Sequence, residues 1–429
     1  MRPLPLALGA ILIGFPGGLR LEAQSLESRI AARQDGLVGL QFASRPDACG
    51  FGSSYIRIGN GTFIGEGTWV TSDGDLDGHS NCERGPVRVL LSRAEGRTVS
   101  LKVGIGGGAW PAGTSDIGSV GAAQAASYFL AQATELDGRL GREALLPAVL
   151  ADSTPVWRGL LDIARNRGLS RGLRESATGW LGREGSSAGA EAREIGTALN
   201  QLASDREEPA GLRSRAVQSL ARIEGHGTAS LITLADAQDP VVSRAAFQAL
   251  GRSSDPRARD VLRRKVRDGS VAENLRHEAI RALGSRDASP ADYALLREIW
   301  PRLTDNRSQD AVIDALGEAG GSENLRWLMA QARDGATASS DRARAVRGAV
   351  RAGARTEDLI QLYDAGQDRR VKEALLEALA RIGDRAATDK LMAIARTETD
   401  LQIRRSAINR LSKSGDERVS AMLKDLVER

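Results

Sequence analysis

The chain is expected to fold as a mostly α protein: a right-handed α-solenoid of helix pairs, preceded by a small strand-rich N-terminal module. Three observations predict this. From about residue 121 onward, apolar residues fall at i, i+3, i+4 spacing, the period of a helix. Within that region one pattern recurs about every 33 residues. Between Leu37 and Gly108, by contrast, short alternating or β-branched runs are separated by Gly, Asn and Asp turns.

In chain order, "MRPLPLALGAILIGFPGGLRLEA" has a positive start at Arg2 and a short apolar core over Leu4 to Phe15. Leu21-Glu22-Ala23 offers a cleavage site before Gln24. This reads as a secretory signal peptide over residues 1–23, too short and too proline-broken at Pro3, Pro5 and Pro16 to span a bilayer. Export is therefore expected, to the periplasm or beyond, with no stable membrane insertion. Residues 24–36 form a short segment before the first strand.

Over residues 37–108, "LVGLQFAS", "SYIRIGNGTFIG", "GPVRVLLS" and "RTVSLKVGIG" read as strands of a mostly antiparallel sheet. The clearest hairpin has Val87 to Leu91 and Val99 to Val103 flanking Glu95-Gly96. The two cysteines, Cys49 and Cys82, form an isolated pair, and an oxidising compartment favours a disulfide between them. Closing that loop stabilises a small module by about 3–4 kcal/mol in the chain-entropy model. The glycine-rich residues 109–120 then read as a linker.

The solenoid is expected over residues 121–429. Its recurring unit is a basic residue, a small or branched residue three positions on, an apolar residue four further, then often glycine. Copies include "RSRAVQSLA", "SRAAFQALG", "RHEAIRALG", "QDAVIDALG", "KEALLEALA" and "RRSAINRLS". The apolar anchors are Leu181, Leu220, Leu250, Leu283, Leu316, Val350, Leu379 and Leu411. A second amphipathic segment lies between successive anchors, such as "RDVLRRKV" or "NLRWLMAQA". Each unit is thus two short helices that cannot bury both apolar faces alone, so about eight units must stack.

The Trp/Leu-Gly/Tyr pattern of tetratricopeptide repeats and the "TPLH" turn of ankyrin are missing. The motif "LRxxAxxALGxxxD", best seen in "LRHEAIRALGSRD", resembles the short HEAT-like repeats of phycobilisome lyases, over roughly Val156 to Arg429. The leading basic residue is missing at Gln309 and Ala343, and "REGSSAGA" reads as a loose insertion. With its two-cysteine, strand-rich head, the chain resembles exported bacterial HEAT-repeat proteins. That resemblance implies a fold and is nearly silent about activity.

Asp73, Asp75, Asp77 and Gly78 match the opening of a calcium loop, but its twelfth position is Arg84 rather than a bidentate glutamate. The three aspartates are thus a weak metal candidate, and hairpin-turn chemistry explains them better. "GIGGGA", from Gly104, has dinucleotide-fingerprint spacing but is followed by Trp110-Pro111, not by a helix. "GSSAG", around Ser187, spells a nucleophile elbow outside any α/β context. A HEAT-repeat di-iron hydroxylase needs several His-Glu pairs; this chain has one, His277-Glu278, read as ordinary helix surface. Tryptophans 157, 180, 300 and 327 fall on apolar helical positions and read as core.

The recurring cations Arg174, Arg213, Arg244, Arg276, Lys372 and Arg404 form a ladder, expected to bridge stacked units through acids such as Asp239 with Arg244 or Asp400 with Arg404. The alternative role of the ladder is a partner groove. A net charge of +4 over 429 residues gives no case for nucleic-acid binding. The expected function is a non-enzymatic scaffold of the cell envelope, without cofactor, holding a protein or peptide on a concave solenoid face. The alternative is a metal-dependent enzyme or calcium module using Asp73, Asp75, Asp77 and His79; nucleic-acid binding through the basic ladder ranks below it.

Overall fold

In the computed structural model, strands dominate up to Ser119 and helices follow from Ala122. The structure describes residues 25–428 except 52–54, 60, 65–67, 71–81, 188, 224–225 and 286–287. Two compact units emerge: one holds the described residues up to Gly159 with Gly168–Leu173, the other Leu160–Arg167 and Arg174 onward.

The first unit starts with helix α1 (Leu26–Ala31), followed by β1 (Gly36–Phe42), β2 (Ala48–Phe51), β3 (Tyr55–Ile58), β4 (Gly61–Ile64) and β5 (Thr68–Val70). Then come β6 (Val87–Ala94), β7 (Arg97–Ile105), β8 (Ser115–Ser119), α2 (Ala122–Leu136) and α3 (Gly138–Leu150). Two four-stranded sheets result, ordered β7-β6-β1-β8 and β2-β3-β4-β5. In the first, β1 runs antiparallel to β6, with Val38 opposite Leu91, and parallel to β8. Alternate residues Val38, Leu40 and Phe42 of β1 and Val87, Val89 and Leu91 of β6 are buried, the period-two signature of a covered sheet face. Phe42 meets Phe129 of α2 with ring centroids 6.3 Å apart.

The β6–β7 hairpin turns at Glu95 and Gly96, both at positive φ (51° and 72°), the backbone a two-residue turn needs. Asp35 accepts hydrogen bonds from both their N–H groups, at 2.6 and 3.0 Å. Cys49 and Cys82 are disulfide-bonded, with Cα atoms 5.5 Å apart.

Residues 109–120 depart from the linker expectation. They contain β8, an edge strand of the main sheet, and Trp110, which lies against Gly39 and under the Arg88 guanidinium at 3.9 Å. A parallel edge strand of five residues carries too little alternation to stand out among glycines. Helices α2 and α3, expected to open the solenoid, belong instead to the first compact unit.

The helical run continues with α4 (Trp157–Arg165), α5 (Arg171–Ser187), α6 (Ala192–Ser204), α7 (Ala210–Leu220), α8 (His226–Ala235) and α9 (Pro240–Gly251). Next are α10 (Pro256–Arg267), α11 (Glu273–Leu283), α12 (Pro290–Ile299), α13 (Asn306–Ala319), α14 (Ser322–Arg333) and α15 (Ser339–Arg351). The last are α16 (Thr356–Asp364), α17 (Arg369–Ile382), α18 (Arg385–Thr397), α19 (Leu401–Leu411) and α20 (Glu417–Glu428). Odd-numbered helices from α7 to α19 pack in one row, and even-numbered ones pack beside them. This is a run of paired helices of the open α-solenoid type. The segment "REGSSAGA" is not a loose insertion: α5 runs through it to Ser187, and Gly185 lets Ile223 and Ile195 approach.

Local chemistry starts the helices. Asp239, Asp255, Asp305, Asp368, Asp384 and Asp400 are N-caps whose carboxylates accept first-turn N–H groups. Pro240, Pro256 and Pro290 follow their caps at the first helical position, where a missing N–H costs nothing. The glycine after the apolar anchor has a packing role. A Cβ on Gly284 would sit 2.5 Å from the Ala315 Cβ, and one on Gly251 would sit 2.9 Å from the Ala282 carbonyl oxygen. Each such glycine lets the next helix of its row close in.

Candidate functional site

The ladder cations take different roles. Arg174 is buried, and its Nη2 donates to Glu208 Oε2 at 2.5 Å while its Nε donates to the Ala164 carbonyl at 3.0 Å. Arg167 joins the same carboxylate at 3.1 Å and also reaches Asp205 and Glu207. Arg213 pairs with Asp239, Arg244 with Glu278 at 2.9 Å, and Lys372 with Glu398 at 2.9 Å. Arg404 makes no ion pair among the described residues, and the Nε of Arg276 is buried without a partner.

The expected pairing of Asp239 with Arg244 and of Asp400 with Arg404 is corrected. Each aspartate caps its own helix and turns its other oxygen to a cation of the preceding unit, Arg213 and Arg369 respectively. Asp368 does the same, capping α17 and pairing with Arg342. A carboxylate over the first turn lies beside the neighbouring helix of the row, whereas Arg244 points outward and is 60% exposed. Capping holds these acids ionised. Burial alone would raise the Asp239 pKa, but Arg213 and the Val242 and Val241 N–H groups more than reverse that.

The outward face of the odd row carries exposed polar residues on every helix. Examples are Arg215 and Gln218 on α7, Arg244 and Gln248 on α9, Arg281 on α11, Asp314 and Glu318 on α13, Arg347 and Arg351 on α15, and Arg405 and Asn409 on α19. Cross-links stitch neighbours: Asp310 to Arg344 at 2.5 Å, Asp314 to Arg351, and Glu373 to Ser406 at 2.6 Å and Arg410 at 3.6 Å.

Between α11 and α13 a cleft of about 830 Å³ opens on this face. His277, Arg281 and Ser285 line one side, Arg307, Asp310, Asp314 and Glu318 the other, and Tyr293 of α12 contributes too. Gly284, Ala311, Ala315 and Ala319 leave the space open. Burial first, then Asp292 and Glu318, raise the Tyr293 pKa against the opposing effect of Arg259, so its hydroxyl remains a neutral donor.

Comparison with known proteins bears on the fold. The model for HEAT repeats matches residues 228–317 and 356–429. Over those residues the helix pairs are similar to HEAT repeats. No curated protein sequence matches the chain significantly. Among solved structures, human deoxyhypusine hydroxylase in complex with glycerol is 17% identical, with 56% of this chain and 97% of that chain covered and a TM-score of 0.27. Kap95p, solved with RanGDP, is 13% identical, with 71% of this chain and 52% of that chain covered and a TM-score of 0.40. The CpcE–CpcF complex of phycocyanin lyase from Nostoc is 20% identical, covering 64% and 94%, with a TM-score of 0.23. Likenesses this distant transfer no activity and no partner.

Asp73, Asp75, Asp77 and His79 lie outside the described residues. Among the described residues, no group of three or more His, Cys, Asp or Glu is placed to hold a metal ion. The dinucleotide-like glycines end β7 and residues 109–121, which follow them, contain no helix, so the spacing was coincidental. Glu278 is not surface, as its dipeptide suggested: it is buried and ion-paired, its helix face being turned towards α9. Trp157, Trp180 and Trp300 are buried, and Trp327 stacks edge-on to Trp300 at 5.4 Å. Sequence reasoning missed Glu208, Asp292 and the carboxylates of α13. No shared position marks them in the sequence, since Glu208 precedes α7, Asp292 lies on α12 and the others lie on α13.

Proposed function

We propose that this is an exported scaffold protein that holds a protein or peptide partner along the outward face of the odd helix row. The observation that carries this reading is the extent of that face. Seven successive helices, α7 to α19, each present exposed polar side chains, and six interhelical steps of about 10 Å make a surface roughly 60 Å long. An extended polypeptide needs about 18 residues to span that distance. A small molecule would use only a fraction of it. Export is supported by the N-terminal sequence and by the disulfide, a bond that persists in oxidising compartments.

The test is affinity purification from cell-envelope extracts with the wild-type chain and with Arg215→Glu/Arg347→Glu, which reverses charge at two exposed positions. Proteins retained by the wild type and lost by the variant support the reading. Equal retention by both removes this face from partner binding. Separately, tight stoichiometric uptake of Ca²⁺, Mn²⁺ or Zn²⁺ by metal-stripped protein, abolished by Asp75→Ala, would shift the reading to a metal-dependent N-terminal module.

A further inference from the structure

Ion pairs cross almost every junction of the odd row. Arg174 reaches Glu208 ahead of α7, Arg213 reaches Asp239 of α9, and Arg244 reaches Glu278 of α11. Asp310 and Asp314 of α13 reach Arg344 and Arg351 of α15, Arg342 reaches Asp368, and Lys372 and Arg369 reach Glu398 and Asp400. Among the described residues, the junction between α11 and α13 has none.

The ladder position there is Arg276, and by analogy with Arg213 and Asp239 its partner is the cap of α13, Asp305. That pair is not made: Arg276 Nε and Asp305 Oδ2 are each buried without a hydrogen-bond partner. The cleft lies at this same junction. Its two aspartates are ion-paired from the far side by α15, Asp314 with Arg351 and Asp310 with Arg344, a cation that Asp341 shares, and Glu318 is its one carboxylate without an ion pair among the described residues. Arg281 and Arg307 line the cleft with no ion pair among the described residues, and the Nδ1 of His277 is buried without a partner.

We infer that this cleft receives an acidic segment of the partner, whose carboxylates pair with Arg281 and Arg307 and reach the His277 ring. The inference rests on the partner-binding reading above and adds the chemistry of what is bound. Two guanidiniums on opposite walls favour a segment bearing more than one Asp or Glu side chain, because each can take one carboxylate in a charge-assisted bond. The junction lacks the internal clamp of its neighbours, so the ligand completes the ladder across α11 and α13.

The experiment measures fluorescence anisotropy of a labelled octaglutamate with the full chain, using octalysine as the opposite-charge control. Wild type is expected to bind octaglutamate and not octalysine. Arg281→Gln/Arg307→Gln should weaken binding by at least about tenfold, the loss expected when charged hydrogen bonds are removed. Ala319→Trp, which fills the cleft and keeps its charges, should weaken it comparably. Arg264→Gln, an exposed arginine on α10, should leave it within about twofold, since rim charges outside a site add little. Octaglutamate binding that survives both cleft variants, or falls equally with Arg264→Gln, overturns the inference in favour of a diffuse positive field. If wild type ignores octaglutamate while Arg215→Glu/Arg347→Glu still loses its extracted partner, the acidic-segment inference fails and the binding face stands.

Discussion

Replacing Glu208 with alanine tests how the first repeats of the second unit are joined. Arg174 and Glu208 are 5% and 3% exposed at the side chain and 2.5 Å apart. Truncating the acid leaves the Arg174 guanidinium buried with one remaining bond, to the Ala164 carbonyl. Arg167 is half-exposed and keeps Asp205 and Glu207, so it can turn to them and to water. Breaking one side of a buried pair costs about 3–5 kcal/mol, because the stranded charge has lost its solvation without compensation. Replacing both partners by apolar residues, as in Arg174→Met/Glu208→Leu, is expected to fall within about 1 kcal/mol of wild type. A repeat array need not unfold in one step, so the assay must be local. Hydrogen exchange read by mass spectrometry over α5 and α7 should show protection falling about 100-fold or more in Glu208→Ala, with α17 and α19 unchanged. A drop below about fivefold would mean the pair is solvated. A double variant as damaged as the single one would show that packing, not the uncompensated charge, carries the effect.

Four further outcomes are expected. Gly182→Ala and Gly284→Ala place a methyl 2.6 Å from Ser219 Cβ and 2.5 Å from Ala315 Cβ and should each cost about 1–3 kcal/mol in urea unfolding, while Gly269→Ala, with open space around it, should cost less than about 0.5. Asp292 is fully buried; burial would raise its pKa, but Ser289 and Arg263 outweigh that and hold it below the usual carboxylate range. Its contribution is therefore present above the unfolded value of about 3.9 and lost as pH falls through the lower folded value, so α10 and α12 should lose protection in acid, a dependence that Asp292→Asn flattens. Reducing Cys49–Cys82 should lower the stability of the first unit by about 3–4 kcal/mol and leave exchange in α13 to α19 unchanged. Mass spectrometry of secreted protein should find Gln24 at the N-terminus, and an intact Met1 would contradict cleavage after Ala23.

Residues that act through their nearest neighbours in sequence were legible without coordinates. The β6–β7 hairpin followed from alternation around Glu95-Gly96. Most apolar anchors were readable because a helix turns side chains to one face every three or four residues: Leu220, Leu250, Leu283 and Leu316 are fully buried, whereas Val350 is half-buried and Ala349 takes the buried position. The strand β8 was not legible, since five residues at a parallel edge leave no run of alternation. The partners of the ladder cations were not legible: Asp239 and Asp400 lie nearer in sequence to Arg244 and Arg404 than to the arginines they meet.

From sequence alone came the period, the helix pairs and the change from strands to helices, because each depends on spacings within one turn or one strand. Tertiary structure decided which charge meets which, which junction stays open, and where a cleft forms. Those outcomes depend on the approach of helices about 33 residues apart in sequence, set by small residues such as Gly284 and Ala315 at the contact, and no local rule along the chain carries that distance.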